Sequence, residues 1–239
     1  MHIIQYQMMT TTKPQHEFRS SVSENEFFER MYYRKVLSPL LREEGYVPID
    51  LRADTKYRKA DIDFGGIQDE KVAKTIEVKF DHVAAVTGNM FLETVSVDKG
   101  IGHAQSPGCF MISEADEFHQ IVVLQNKIYI SNLSAMRDYW YGEEAVPRIW
   151  QSDYSRYVMR NIRAYNHKYD SIGDCVSIEL LFGENHPHHS HYLIDIYEFD
   201  DSILEAFVPL SAKIVNKYHS IKHQAAELDY PKEVSKWLH

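Results

Sequence analysis

The sequence predicts an α/β fold: a central mixed β-sheet flanked by helices, with an α+β elaboration at its C-terminal end. Three observations carry this expectation. A helix-period segment, SENEFFERMYYRKVLSPLLREEGY, comes before a series of strand-period segments. Two of those, KADIDF and KTIEVKF, alternate apolar with charged residues, so each has one face suited to a core and one polar face. Beyond about residue 145 further strand- and helix-like segments follow with weaker patterning. The chain is accordingly divided into an N-terminal arm (1–22), a core (23–145) and a C-terminal elaboration or small accessory domain (146–239).

In the first helix, Ser23 and Glu26 have capping-box spacing. Tyr33, Val36, Leu37, Leu40 and Leu41 form a core-facing stripe. Pro39 should kink the helix or start a second one capped by Ser38, and Gly45 suits its stop. Four strands are then expected: VPIDLRA, KADIDFGG ending in a Gly-Gly turn, KTIEVKFD and GNMFLETVSV. Ser113 could cap a short helix in SEADEF. HQIVVLQNKIYIS reads as a hairpin turning at Gln125-Asn126, and Asn132 as the cap of LSAMRDYWY. Further on, QSDYSRYVMRNIRAYNHKYD reads as a basic helix, DCVSIELLF and HYLIDIYEF as strands, and 202–227 as a helix.

With 44% hydrophobic residues among 239, the chain can bury a sizeable core. No apolar run approaches the ~20 residues a membrane span needs, and the N-terminus lacks the pattern of a signal peptide. Two cysteines, Cys109 and Cys175, make neither a disulfide framework nor a zinc site, which fits a reduced cytoplasmic compartment. A formal charge of −9 argues against coating nucleic acid through bulk charge. It leaves room for a nucleic-acid enzyme with a local basic surface.

The chemistry concentrates on the two middle strands. KADIDF puts Asp61 and Asp63 on one face, and KTIEVKF puts Glu77 and Lys79 on one face. Paired as a hairpin, the strands bring carboxylates and an ammonium to the same side of the sheet. Two carboxylates suit Mg²⁺, a hard ion that takes oxygen ligands. A lysine beside them can hold the attacking water and meet charge building on a phosphate.

Asp63 followed by Glu77-Val78-Lys79 resembles the PD-(D/E)XK nuclease superfamily, whose fold is restriction-endonuclease-like. Within it the chain is similar to phage and plasmid nucleases carrying a TGNxFxE block, here TGNMFLETVSV. The resemblance spans roughly residues 24–135. It implies a DNA endonuclease using Mg²⁺ or Mn²⁺. Asp63 and Glu77 would hold the metal, the Val78 carbonyl would join them, and Lys79 would serve the water. The superfamily's proline before the aspartate is absent here, where Ile62 precedes Asp63. Asp61 stays open as an alternative to Asp63. A module of the same fold that binds nucleic acid without cleaving it, or a structural subunit, are the other readings. No membrane partner is expected, and homodimerisation is left open.

Further candidates are weighed against blander roles. Glu29 could be a metal-side glutamate on the helix or a solvated helix edge. Glu93 could be a metal or water ligand or an exposed strand residue, and Asp81 a group supporting Lys79. Arg156, Arg160 and Arg163 would form one phosphate-binding stripe on a helix, or an ordinary charged face. The histidines of HPHHSH, residues 186–191, read as a solvated loop rather than a metal site.

Overall fold

The computed structural model describes residues 26–98, 104–142, 158–166 and 171–227. The arm, Ser23 and Arg156 lie outside them.

The first element, α1, is one helical run over residues 26–43 with a π-turn at Tyr33–Leu37. The turn explains which residues are buried. Phe28, Tyr32, Leu37 and Leu41 are at most 1% exposed, so the core-facing spacing is four, then five, then four. A π-turn adds one residue to the helix without rotating the face that follows it. The expected stripe is therefore half right: Leu37 and Leu41 are core, whereas Tyr33, Val36 and Leu40 are only partly covered. Pro39 stands in the first turn of the α-helical stretch Ser38–Glu43 that follows the π-turn within the same run. Ser38 is helical and buried, its N–H reaching Tyr33 O, and its side chain caps nothing. Gly45, at φ +90°, ends α1 with Gly45 N–H on Arg42 O and Tyr46 N–H on Leu41 O, at 3.0 and 2.8 Å. This is the Schellman arrangement.

The chain continues through β1 (Val47–Asp50), α2 (Thr55–Lys59), β2 (Phe64–Gln68), β3 (Lys71–Phe80), α3 (Ala84–Thr87), β4 (Asn89–Asp98), β5 (Ala104–Pro107) and α4 (Cys109–Ile112). It goes on through β6 (Glu117–Val122), β7 (Lys127–Asn132), α5 (Leu133–Tyr141), β8 (Val158–Asn166), β9 (Ser171–Ser177), α6 (Ile178–Phe182), β10 (Leu193–Tyr197) and α7 (Asp201–Glu227). The central sheet has six strands in the order β1-β2-β3-β6-β7-β10. It is mixed: β3 and β6 are parallel, and every other neighbouring pair is antiparallel. A second sheet runs β5-β4-β9-β8. Strands from beyond residue 145 thus join both sheets.

Among the described residues two large cores fill the layers, beside a small cluster of Leu51, Ile62 and Ala115. On one face of the central sheet, Phe64, Ile76, Val78, Ile121, Ile128 and Ile130 pack with α1 and with Phe207 of α7. On the other, Phe118, Val122 and Tyr129 meet Met90, Leu92 and Val176 of the second sheet, closed by α5 and α6. The protein is an α/β fold whose mixed six-stranded sheet has helices on one side and a second sheet with helices on the other.

Several expectations hold. The β6–β7 hairpin turns at a short 3₁₀ segment, Val123–Gln125, with Asn126 at φ +53°. Asn132 caps α5, its Oδ1 accepting from Ala135 N–H at 2.8 Å. Helix α7 runs close to its expected span.

Others are corrected. KADIDFGG is not strand throughout: Asp54 caps the unforeseen α2, and β2 begins only at Phe64. Gly65-Gly66 lie inside β2, and the hairpin turns at Asp69-Glu70, both at positive φ, as a two-residue turn of the primed kind requires. A Cβ on Gly65 would stand 2.7 Å from Lys74 O and 2.9 Å from Leu51 Cδ1, so the glycine serves close packing. GNMFLETVSV forms a strand, β4, but in the second sheet. SEADEF is not helical; the helix there is α4, which ends before Ser113. The basic segment expected as a helix is strand β8 over its described part, and DCVSIELLF divides between β9 and α6.

Candidate functional site

The hairpin register fixes the centre of the site. Phe64 pairs with Ile76 in β2–β3, both side chains facing the α1 core. Asp63, one residue earlier, takes the opposite face, where Glu77 also points. Its backbone N–H donates to Ile76 O at 3.1 Å, and its carbonyl accepts from Leu51 N–H at 2.9 Å. Its Oδ2 accepts from Val78 N–H at 3.0 Å. Asp63 is thus held at both ends against the strand that carries Glu77 and Lys79.

Glu77 is 5% exposed, on the face of the central sheet where Phe118 packs against the second sheet. Its Oε2 is buried with no hydrogen-bond partner. A solvated strand face is thereby excluded. Burial pushes Glu77 well above the usual carboxylate range, helped by Asp63 and Asp61. Burial, then Glu29, lifts Asp63 to about 7. Carboxylates this close share protons or a cation, because isolated buried anions are costly.

Asp61 is not on the strand. It sits in the turn after α2 at φ +51°, a backbone region that non-glycine residues seldom adopt. Buried Ser113 holds it there, donating from Oγ to Asp61 O at 2.7 Å. Glu114 N–H adds a bond to Ala60 O at 3.0 Å. The Asp61 carboxylate still reaches the corner: its Oδ2 is buried without a partner, burial raises its pKa, and Lys79 opposes that rise.

Lys79 Nζ lies 3.9 Å from Glu93 Oε2. Cys109 at the start of α4 hydrogen-bonds the same ammonium and, followed by Glu93 and Glu77, holds Lys79 well above its ordinary value, against the opposing effect of burial. The Cys109 thiol is itself pushed up by burial.

The remaining candidates sort by their contacts. Glu29 lies near enough to raise Asp63, but its Oε2 is engaged at 2.8 Å by Arg52 Nη1. Arg52 also holds Asp50, with Nη2 to Oδ2 at 2.6 Å, and lies over the Phe64 ring at 4.8 Å. Asp81 is a structural hinge: Oδ1 accepts from Ala84 N–H and Oδ2 from Phe91 N–H, both at 3.0 Å, tying α3 to β4. Within the TGN block, Gly88 at φ +69° ends α3 and lets β4 begin. Arg160 and Arg163 lie on β8, so the i, i+4, i+7 spacing no longer makes a helical stripe. His186 begins a 3₁₀ turn over Pro187–His191, in which His188 Nδ1 meets Tyr139 OH at 2.5 Å.

Arg52 was not named from sequence; Ser113 was named only as a helix cap, and Cys109 only as a cysteine outside any disulfide framework or zinc site. Only Arg52 carried a signal, its i, i+2 spacing from Asp50 at the end of a strand. The other face of the sheet also holds an unforeseen polar chain: Tyr32 OH to His119 Nδ1 at 2.7 Å, His119 Nε2 to Glu117 Oε2 at 3.0 Å, and Glu117 Oε1 to Lys74 Nζ at 2.8 Å. Lys74 Nζ then reaches Glu44 Oε2 at 2.7 Å. Every link is paired, as a buried polar network requires.

Among the described residues, no three His, Cys, Asp or Glu side chains stand where they could together hold a metal ion. Mg²⁺, however, commonly keeps several waters and takes only one or two carboxylates. Asp63 and Glu77, with the unpartnered Glu77 oxygen, fit that requirement. No helix among the described residues is long and apolar enough to cross a membrane. No protein-family model matches the chain, and neither a curated protein nor a solved structure matches it.

Proposed function

We propose that this protein is a metal-dependent nuclease that hydrolyses phosphodiester bonds, with DNA as substrate and a restriction-endonuclease-like core. The observation that carries the reading is one buried corner. It brings Asp63, locked to the Val78 backbone, together with Glu77, whose Oε2 has no partner, and with the Lys79 ammonium two residues on. An ordinary charged strand would expose Glu77; a carboxylate placed to meet a bound cation can be buried.

Asp63 and Glu77 would hold Mg²⁺ or Mn²⁺, with the Val78 carbonyl as a further oxygen. When bound, such an ion supplies Lewis-acid charge at the scissile phosphate and lowers the pKa of its water. The protein's own residues do the rest. The Val78 N–H fixes the Asp63 carboxylate, so its orientation is set before any ligand arrives. Lys79, with 40% of its side chain exposed, can hold a water or a phosphate oxygen from the solvent side of the corner. Glu29 does not serve as a free ligand while Arg52 engages it.

The test is to incubate the purified chain with linear, circular and branched DNA in Mn²⁺, Mg²⁺ or EDTA. Metal-dependent cleavage that disappears in Glu77→Gln and Lys79→Ala is expected. Absence of cleavage on every substrate, together with no Mn²⁺ binding, would overturn the proposal. Metal-independent binding of DNA without cleavage would point instead to a recognition module.

A further inference from the structure

We infer that Glu93 is a positioning residue for Lys79, aimed by a bulge in the second sheet, and not a metal ligand. For its effect on turnover this inference rests on the nuclease proposal; the geometry behind it does not.

Strand β4 is irregular at this point. Glu93 pairs with Gly173 and Val95 with Ile172, so Thr94 is an extra residue on β4. A bulge of this kind bends the strand and re-aims a side chain. Glycines stand on both sides of it. A Cβ on Gly173 would lie 2.3 Å from Leu92 O and 2.7 Å from the Phe91 ring. A Cβ on Gly108 would lie 2.6 Å from Glu93 O and 2.7 Å from Glu93 Cγ. Gly108 N–H also donates to Thr94 O at 2.9 Å, which clamps the extra residue. The chain has given up side chains on both flanks of Glu93, so neighbouring backbone closes directly on it.

The clamped side chain is 14% exposed, and its Oε2 lies 3.9 Å from Lys79 Nζ. Cys109, next to Gly108, lies near enough to the same ammonium to favour its charged form. Lys79 needs such an anchor. Its side chain is 40% exposed and long, and a lysine left free would sample many rotamers. The anchor is half-buried, where an ion pair is less screened than at the surface. Glu93 Oε2 faces the ammonium at ion-pair distance, 3.9 Å. Asp63, just before β2, and Glu77 on β3 are held by contacts that do not involve β4.

The experiment compares the wild-type chain with Glu93→Gln and Glu93→Asp, each checked for an unchanged melting temperature. The first readout is the order of the Lys79 terminal methylene from ¹³C relaxation in the metal-free protein. The second is Mn²⁺ affinity, and the third is kcat and KM on DNA. Lys79 should be ordered in the wild type, as mobile as an exposed lysine in Glu93→Gln, and partly re-ordered in Glu93→Asp. Mn²⁺ affinity should stay within about twofold while kcat falls on the order of 10–100-fold, as expected when a reacting group is misplaced rather than lost. Unchanged Lys79 order in Glu93→Gln overturns the inference whatever the activity. So does a large loss of Mn²⁺ affinity, which would make Glu93 a ligand. If Lys79 loosens as expected but the wild type itself cuts no DNA, the positioning relation stands and the nuclease reading fails.

Discussion

The backbone N–H of Val78 on β3 donates to Oδ2 of Asp63, the residue before β2, at 3.0 Å. This bond ties the first carboxylate of the site to the middle residue of the Glu-Val-Lys sequence. Among the described residues Asp61 has no equivalent bond; it is placed by its backbone, through Ser113 Oγ. The two aspartates therefore make different predictions. Asp63→Asn should lose cleavage and most Mn²⁺ binding, while Asp61→Asn should keep a good part of both. A Mn²⁺ titration of each variant, followed by cleavage, decides between them. An inactive Asp61→Asn beside an active Asp63→Asn reverses the assignment.

Lys79→Ala should abolish cleavage, reducing turnover by at least ~100-fold, the scale of losing a preorganised charge aimed at the reacting centre. The fold should survive, because Lys79 is not part of either apolar core and no cavity opens. Circular dichroism and Mn²⁺ affinity should remain near wild type. Full turnover in Lys79→Ala would remove Lys79 from the mechanism.

Much of this site was legible because β3 alternates. Glu77 and Lys79 fall on one face, with Ile76 and Val78 on the other, and that parity survives folding. What parity cannot reveal is what covers a face. Glu77 lies on the face where Phe118 packs against the second sheet, whose β4 and β9 are separated in sequence by some seventy residues. Asp61 was misplaced for a local reason. Asp-x-Asp mimics strand alternation, but Asp54 caps a short helix just upstream, and the chain must leave that helix through a left-handed residue before it can extend. The stripe on α1 failed at Tyr33 because a π-turn has no clear sequence signature: only the five-residue step from Tyr32 to Leu37 reveals it. The β8 segment was misread because Arg156, Arg160 and Arg163 fit helical spacing, while pairing with β9 decided the backbone.

Ser113→Ala tests how the Asp61 turn is held. The hydroxyl is fully buried and bonded to Asp61 O, and it also accepts from Ala115 N–H at 3.3 Å. Its removal strands the Asp61 carbonyl and should cost about 1–3 kcal/mol, the usual price of an unsatisfied buried polar group. Urea unfolding measures this directly. Because Asp61 reaches the corner only through this turn, its electrostatic effect on Glu77 should weaken as well. A stability change under about 0.5 kcal/mol, the range of a neutral surface substitution, would show that the turn is held by other contacts.

The dependence of stability on pH should carry an unusual sign. Most native carboxylates have depressed pKa values and stabilise the fold at neutral pH. Asp63 does the reverse, since burial and then Glu29 raise it to about 7, against about 3.9 in an unfolded chain. Between those values the native state holds a proton that the unfolded state has released. Its contribution is fully present below about pH 4 and is lost as pH rises toward 7. Glu77 is raised as well, so the two titrate as a pair and the loss extends upward in pH. Asp63→Asn mimics the protonated form and should flatten this part of the profile. In EDTA the variant should gain on the wild type by on the order of 1–2 kcal/mol between pH 5 and 8, after discounting for the partial exposure of the group. Groups outside the corner contribute equally to both proteins and cancel in the difference. Urea denaturation of both chains at pH 4.5, 6 and 7.5 provides the comparison. Parallel profiles would mean that Asp63 is solvated and ordinary, and the buried corner would lose its first carboxylate.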